Sequence, residues 1–274
     1  ISGYRGSPLG GYDSALWKAK DHLVSNRITF KPGLNEDIAA TACWGTQQIG
    51  LNTNSNFDGV FSIWYGKGPG VDRSGDPLKH ANFAGTSKFG GVLALVGDDH
   101  LAKSSTSAHQ SEQSLISAMI PILNPSNIQE LIDYGLFGIA LSRYAGVWVG
   151  LKCVTETVES SSTVHVNDEK DICIPNDFTF PVGGVHIRWP DNFLEQEERM
   201  LNFKLEAVKH FIKKNKLNYV THKSLKKDLG IIATGKTWSD LCSTFIELNI
   251  DKIKLEKRGV SIFKVAMPWP LETE

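Results

Sequence analysis

The sequence predicts an α/β fold, built on a parallel-dominated sheet with helices on both faces. β-rich runs alternate along the chain with helical patterns, which is typical of parallel sheets covered by helices. Glycine-rich and polar segments directly follow the strands, where sheets of this kind bind ligands. With 274 residues, the chain is long enough for one large domain or two smaller ones with a sizeable core.

The first half of the chain supplies four predicted strands and the helices that follow them. The strands are "ISGY", "RITFKP", "GVFSIWY" and "GVLALVG". Helices are expected at 13–25, from Asn35 onward, at 76–88 and within 107–119. Asn35 is a good N-cap, and the acidic Glu36 and Asp37 complement the dipole of a first turn.

The next elements complete the sheet and bring polar segments to one of its edges. After "IPILNP", a helix is expected at 126–143 with Ser126 or Asn127 as its cap, and "GVWVGLKCV" is a strand that ends near Glu156. Because the carboxyl ends of parallel strands share one edge, we expect a ligand site where the segments that follow them converge. These segments are "GYRGSPLGGYD", "PGLNEDIAAT", "YGKGPGVDRSGD", "GDDHLAKSSTSAHQSE" and "TETVESSS".

The composition argues against several classes of protein. Lysine plus arginine nearly balances aspartate plus glutamate, so no basic stripe indicates nucleic-acid binding. The four cysteines are far apart, which favours a reducing cytoplasm over a disulfide framework or a structural metal site. The longest apolar stretch is interrupted at 142–144, so no membrane span is expected. The opening "ISGYRGSP" lacks the layout of a signal peptide, and we expect a piece of a longer protein.

Two motifs have more than one interpretation. "GDDHLAKSSTSAHQSE" has a higher density of reactive side chains than a solvated loop needs. A metal site made of Asp98, His100 and His109 is disfavoured, because no ligand pair has a familiar spacing. "GIIATGKT", at 230–237, fits the phosphate-loop pattern G-x-x-x-x-G-K-S/T, but its apolar residues are β-prone. We interpret it as a strand that opens a βαβ piece rather than as a nucleotide site.

Eight ordered runs together resemble one enzyme family. They are "GYRGSPLGGYD", "NEDIAATACWGTQQ", "WYGKGPGVDRSGDPLKHAN", "GDDHLAKSSTSAHQSE", "LNPSNIQELIDYGL", "TETVESS", "IRWPDNFLEQE" and "MPWPLE". They resemble the long, fused indolepyruvate ferredoxin oxidoreductases, which are thiamine-diphosphate-dependent 2-oxoacid:ferredoxin oxidoreductases. The resemblance covers essentially the whole chain. It implies a pyrimidine-binding domain at 1–165, a connecting region at 166–228 and the start of a following α/β domain at 229–274.

The resemblance also implies roles for individual residues. A glutamate of these enzymes shares a proton with N1′ of the aminopyrimidine, and the matching residue is Glu36. The residues expected to contact the cofactor are Tyr4, Ser7, Pro8 and a loop formed by Gly66, Lys67, Gly68, Pro69 and Gly70. Those expected to bind the substrate are His100, Lys103, Ser104 and Ser105, and an apolar wall for its side chain is expected from Trp44, Trp64 and Tyr65. Each of these positions has a purely structural alternative.

The implied activity is oxidative decarboxylation of a 2-oxoacid, with indolepyruvate or another aryl or branched acid as substrate. Coenzyme A is the implied acyl acceptor and ferredoxin the electron acceptor. The chain has no magnesium-binding motif and no closely spaced cysteine run, so Mg²⁺ and 4Fe–4S clusters are expected in other parts of a homodimeric protein. We expect this chain to be inactive alone. The alternatives are a transketolase or acetolactate-synthase type of thiamine enzyme, or a non-catalytic scaffold domain of the same fold.

Overall fold

The first sheet has five strands, all parallel, in the order β1-β2-β3-β5-β4. The computed structural model of the chain describes residues 1–51, 54–101, 107–166, 172–226 and 228–273. The strands are β1 (Ser2–Gly3), β2 (Phe61–Lys67), β3 (Gly91–Asp98), β4 (Ile122–Leu123) and β5 (Trp148–Val154). This parallel sheet and its helices confirm the predicted fold class.

Helices of the first sheet follow its strands along the chain. A 3-10 turn, Ile49–Leu51, and a π-helix, Met200–Lys204, lie between them. The helices are α1 (Gly10–Lys18), α2 (Lys20–Ser25), α3 (Glu36–Thr46), α4 (Gly68–Arg73), α5 (Gly75–Ala84), α6 (Glu112–Ser117), α7 (Ile128–Ala145), α8 (Thr155–Val158), α9 (Phe193–Arg199) and α10 (Leu205–Asn215).

The sheet separates two hydrophobic cores, because successive strand residues point to opposite faces. Trp64 of β2 packs in the core that contains residues of α3 and α5. Its neighbour Tyr65 packs in the core that contains residues of α7 and α10. Both aromatic side chains are completely buried, as expected for a parallel sheet covered on both faces.

Two predicted elements of the first half are wrong in detail. "RITFKP" forms no strand, although the Lys31 N–H donates to the Ile1 carbonyl and the Gly33 N–H to the Gly3 carbonyl, both at 2.9 Å. β1 pairs along its other side with β2, and the predicted stretch stays an extended segment bonded beside β1 at the edge of the sheet. The helix predicted at 13–25 starts earlier and is interrupted at Ala19, between α1 and α2.

The caps predicted from the sequence are largely correct. The Asn35 side chain accepts from the Ile38 N–H at 2.9 Å and starts α3. Of the two caps considered for α7, Asn127 is the one that accepts, from the Glu130 N–H at 3.0 Å. The helix predicted at 76–88 ends at Ala84, because Gly85 follows with a φ of +98°.

A second, three-stranded sheet has the order β6-β8-β7 and consists of β6 (Tyr219–His222), β7 (Leu229–Thr234) and β8 (Val260–Val265). β7 and β8 are parallel and are joined by α11 (Gly235–Glu247) and α12 (Lys252–Lys257), which is the βαβ arrangement predicted for this part. β6, from the predicted connecting region, pairs with β8 in the antiparallel direction. The apolar residues of "GIIATGKT" lie in β7, as predicted.

Backbone and side-chain contacts join the two sheets. The Ile122 N–H donates to the Trp269 carbonyl at 2.7 Å, and the Asn124 N–H donates to the Ala266 carbonyl at 2.8 Å. Glu130, in the first turn of α7, forms a largely buried ion pair with Lys264 of β8. In the part of the chain that the structure describes, no helix combines the length and apolarity needed to cross a membrane.

A fully buried lysine lies in the π-helix. The Lys204 ammonium lies 3.4 Å from the carbonyl oxygen of Asn82 and 3.3 Å from that of Phe83, in the last turn of α5. The carbonyl end of a helix attracts a cation. Burial nevertheless lowers the pKa of Lys204 to about 7, because desolvation penalises the charged amine.

This lysine should make stability rise with pH. Between pH 7 and the ordinary lysine pKa, the unfolded chain binds more protons than the folded one, so the unfolding free energy increases with pH. Lys204→Met removes the buried amine. We expect the unfolding free energy of this variant to exceed that of the natural chain, and this difference to shrink by about 2 kcal/mol between pH 7 and pH 9. Urea unfolding at both pH values measures this, with Lys209→Met, in an exposed pair, as control. A difference independent of pH would contradict it.

Candidate functional site

Glu36 begins α3 as a buried acid. The residue is 8% exposed. It lies at the N-terminal end of the helix, where the free backbone N–H groups favour a negative charge. Within the described ranges, no hydrogen bond or ion pair is made by this carboxylate. Its oxygens are not among the fully enclosed unpartnered atoms of the described residues, so they are open at this edge, where a ligand group can reach them.

The first turn of α4 packs directly against Glu36. A Cβ atom added at Gly70 would lie 2.6 Å from the Glu36 carboxyl carbon, and one at Gly66 would lie 3.3 Å from its Cγ. The Trp64 indole N–H donates to the Glu36 carbonyl at 3.1 Å. Only residues without a side chain allow this approach. Glu36 therefore lies in contact with the 66–70 segment, as expected for residues of a shared site.

The segment at 66–70 is not the loop that was predicted. Gly66 and Lys67 are the last residues of β2, and Gly68, Pro69 and Gly70 are the first residues of α4. Glycines disfavour helices, which led to the loop prediction. Pro69 is the overlooked signal, because proline fits the first turn of a helix. Asp37, next to Glu36, accepts from the Arg73 Nε at 2.7 Å and joins α3 to α4.

The predicted cofactor residues after β1 lie at the same edge. Pro8 is buried against the end of β3, where a Cβ added at Gly97 would lie 2.9 Å from its Cδ. Ser7 is partly buried, and Tyr4 is exposed, with its backbone N–H donating to the Tyr65 carbonyl at 3.1 Å. The structure thus places these residues at the carboxyl edge, and their contact with a cofactor stays a prediction.

Among the predicted substrate residues, His100 is exposed and its Nδ1 lies 3.1 Å from the His109 carbonyl oxygen. It lines a cavity of about 510 Å³ together with Lys152 of β5, Thr234 of β7 and Lys236 of α11. Lys103, Ser104 and Ser105 lie outside the described residues. His100 thus contacts His109 at this edge, and the substrate-binding roles stay predictions.

An ionic network lies beneath this edge. Asp98, the completely buried last residue of β3, accepts from the Ser111 N–H at 2.9 Å and its hydroxyl at 2.6 Å. Lys152 of β5 lies 3.5 Å from Asp98 and forms a closer ion pair with Glu112. The sequence signal for Lys152 is a lone charge inside the apolar run "GVWVGLKCV". Its partner Glu112 lies 40 residues away, and only the fold brings the two together.

The apolar wall predicted from aromatic residues is wrong for two of its three members. Trp64 and Tyr65 are completely buried in the two cores, and the Tyr65 hydroxyl donates to Asp13 at 2.6 Å. Burial and this hydrogen bond raise the pKa of Tyr65 above its usual range. Trp44 is partly buried and stacks on His80, with ring centroids 6.3 Å apart. Trp64 and Tyr65 are therefore parts of the two cores, and the pocket role of Trp44 stays a prediction.

The described residues include no group of three or more His, Cys, Asp or Glu side chains that could hold a metal ion. The Glu36 carboxylate offers acceptor oxygens at this edge. Within the part of the chain that the structure describes it has no side-chain partner, and glycines, rather than larger residues, occupy the turn beside it. A ring nitrogen that shares a proton with a carboxylate would satisfy this group.

Comparison with known proteins is consistent with the motifs. A family model described as an indolepyruvate oxidoreductase domain matches residues 220–274. The indolepyruvate oxidoreductase subunit IorA of Methanothermobacter marburgensis is 24% identical over 98% of this chain and 40% of its own length. The IorA subunit of Archaeoglobus fulgidus is 26% identical over 92% of this chain and 38% of its own length. The chain thus spans about two fifths of these curated relatives.

One solved structure shares the fold over nearly the whole chain. It is the 2-oxoglutarate:ferredoxin oxidoreductase from Magnetococcus marinus with 2-oxoglutarate, coenzyme A and succinyl-CoA bound. The match has a TM-score of 0.64 at 15% identity and covers 98% of this chain and 50% of that one. Together these matches confirm the resemblance that the motifs predicted.

Proposed function

Because this chain is similar to part of the 2-oxoacid:ferredoxin oxidoreductases, we propose that it supplies the aminopyrimidine side of a thiamine diphosphate site in such an enzyme. The reaction is oxidative decarboxylation of a 2-oxoacid to an acyl-coenzyme A, with transfer of electrons to ferredoxin. The remaining domains of the longer protein supply Mg²⁺, the diphosphate site and the iron–sulfur clusters.

The observation that carries this proposal is the carboxylate of Glu36. Glu36 is a buried residue at the start of α3, and its carboxylate lacks a partner among the described residues. The backbone of Gly70 lies in close contact with it. Structural acids in first turns are usually solvated caps, and the N-cap function here already belongs to Asn35. Capping therefore does not explain the burial of Glu36.

In this proposal, the residues of this chain hold the shared proton and orient Glu36 toward the cofactor. When bound, thiamine diphosphate supplies the electron sink that loss of carbon dioxide from a 2-oxoacid requires. Glu36 would hold the proton that it shares with a pyrimidine nitrogen, and the first turn of α4 packs against its side chain. The Asp37–Arg73 ion pair also joins α3 to α4, but it is exposed to solvent and contributes little to holding Gly70 against Glu36.

An apolar cavity offers space for a large substrate side chain. It has a volume of about 940 Å³ and lies between α1 and α7, over β3 and β5. Its floor includes Leu93 and Leu95, and Ser7 and Pro8 lie at the carboxyl edge of the sheet. Both relatives are named for indolepyruvate. We infer that an aryl side chain enters from this edge, in place of the aromatic wall first expected.

In the full-length protein, we expect kcat/KM to fall in the order indolepyruvate, branched 2-oxoacid, pyruvate. The assay is viologen or ferredoxin reduction that depends on thiamine diphosphate and coenzyme A. Gly11 lines the cavity and has no atom within 4 Å of an added Cβ, so Gly11→Leu narrows the cavity without a backbone clash. We expect it to lower kcat/KM about tenfold for indolepyruvate and little for pyruvate.

Gly75→Leu is the matched control, since Gly75 also has open space and lies in another helix, α5. A highest kcat/KM for pyruvate would reject the aryl substrate and leave the thiamine chemistry intact. An equal loss for both acids in Gly11→Leu would show that the side chain does not use this cavity. If no 2-oxoacid reduces viologen in the presence of the cofactor, the proposed function itself is rejected.

A further inference from the structure

His109 packs on the first turn of α4, opposite the side that contacts Glu36. Its side chain is 15% exposed, and a Cβ added at Gly68 would lie 2.8 Å from its Cε1. Gly70, two residues further on, meets the Glu36 carboxyl. The turn is therefore held between an imidazole on one side and a carboxylate on the other.

The imidazole also lies beside acidic residues of two elements, α4 and β3. Its Nε2 lies 2.7 Å from Asp72 of α4, and its Nδ1 lies 3.5 Å from Asp98 at the end of β3. Asp72 additionally accepts from the Ser114 hydroxyl of α6 at 2.5 Å. The close contact of Nε2 with Asp72 attaches His109 to α4, while Nδ1 has no hydrogen-bond partner among the described residues and only approaches Asp98 at the sheet edge.

We propose that His109 is a positioning residue for Glu36, acting through the first turn of α4. It keeps Gly70 against the carboxylate, so that Glu36 meets the pyrimidine ring in one orientation. Catalysis is sensitive to small displacements of a proton-transfer group, so a looser turn lowers turnover without removing any group that touches the substrate. This inference rests on the proposed function of Glu36.

The experiment uses the full-length protein and four variants. His109→Phe keeps a ring of similar size and removes both nitrogens, and His109→Gln keeps a donor that can reach Asp72. Glu36→Gln and the double variant Glu36→Gln/His109→Phe complete a thermodynamic cycle. The matched control is His210→Phe, because the His210 Nε2 also lies 2.7 Å from an aspartate, Asp177, in another part of the chain.

We expect His109→Phe to lower kcat about 10- to 100-fold, the range for loss of a hydrogen bond to a charged group, with little change in KM for the 2-oxoacid. His109→Gln should recover part of the loss, and His210→Phe should keep wild-type kcat. Because His109 acts through Glu36, the double variant should have the kcat of Glu36→Gln alone.

Independent losses that multiply in the double variant would overturn the proposal, as would a His109→Phe enzyme with wild-type kcat. If His109→Phe does not fold, Asp72→Asn weakens the same contact from the exposed side, and full activity in that variant would overturn the proposal equally. A Glu36→Gln enzyme with undiminished kcat identifies instead a failure of the proposed function, so the two failures are distinguishable.

Discussion

Glu36→Gln in the full-length protein is expected to lower turnover by about 10² to 10⁴, the range for removal of a general acid or base. Glutamine has nearly the same size as glutamate and keeps the packing against Gly70. It cannot hold a proton that is exchanged with a ring nitrogen. The measurement is thiamine-dependent viologen reduction at saturating 2-oxoacid, together with the Kd of the cofactor.

Asp37→Asn is the matched control, because Asp37 is the next residue of the same first turn and its ion pair with Arg73 is exposed. It should weaken turnover far less than the change at Glu36 does. A Glu36→Gln enzyme that keeps more than about a tenth of wild-type turnover would contradict the assignment. The same loss in both variants would point to damage of the helix start rather than to proton transfer.

Gly70→Ala is expected to have the next largest effect. The added methyl group would lie 2.6 Å from the Glu36 carboxyl carbon, so either α4 or the carboxylate must move. Overpacking of this kind destabilises a fold by about 1 to 3 kcal/mol. We expect a loss of cofactor-dependent turnover of at least about tenfold, since a displaced carboxylate no longer meets the ring nitrogen.

Gly45→Ala provides the comparison for this variant. Gly45 lies in α3, is exposed and has no atom within 4 Å of an added Cβ. Alanine there should leave turnover unchanged and stabilise the fold by about 0.4 to 1 kcal/mol. Thermal unfolding and viologen reduction measure both effects. Equal turnover in the Gly70→Ala and Gly45→Ala enzymes would show that the contact with Glu36 has no catalytic consequence.

Local signals in the sequence predicted the elements that local chemistry determines. Asn35 and Asn127 start helices because their side chains accept from N–H groups three residues ahead. The long strands were predicted from apolar runs, and the shared carboxyl edge followed from their parallel order. The place of Glu36 in the fold was therefore predictable without a structure.

Features set by distant partners were not predictable in the same way. "RITFKP" has the composition of a strand, but it stays an extended segment bonded beside β1 at the edge of the sheet. Trp64 and Tyr65 lie at a strand end near the site, and only the packing shows that both point into cores. The contact of His109 with Gly68 joins segments 41 residues apart, whose adjacency depends on the register of β2 and β3.

Glu130 connects the second sheet to the large cavity. Its carboxylate accepts from the Ser126 N–H at 2.8 Å, directly before α7, and also pairs with Lys264 of β8. The flank of α7 is one wall of the cavity between α1 and α7. The first turn of α7 is therefore bound to β8 as well as to the residues before the helix, so one wall of the cavity is anchored in a part of the chain that does not line it.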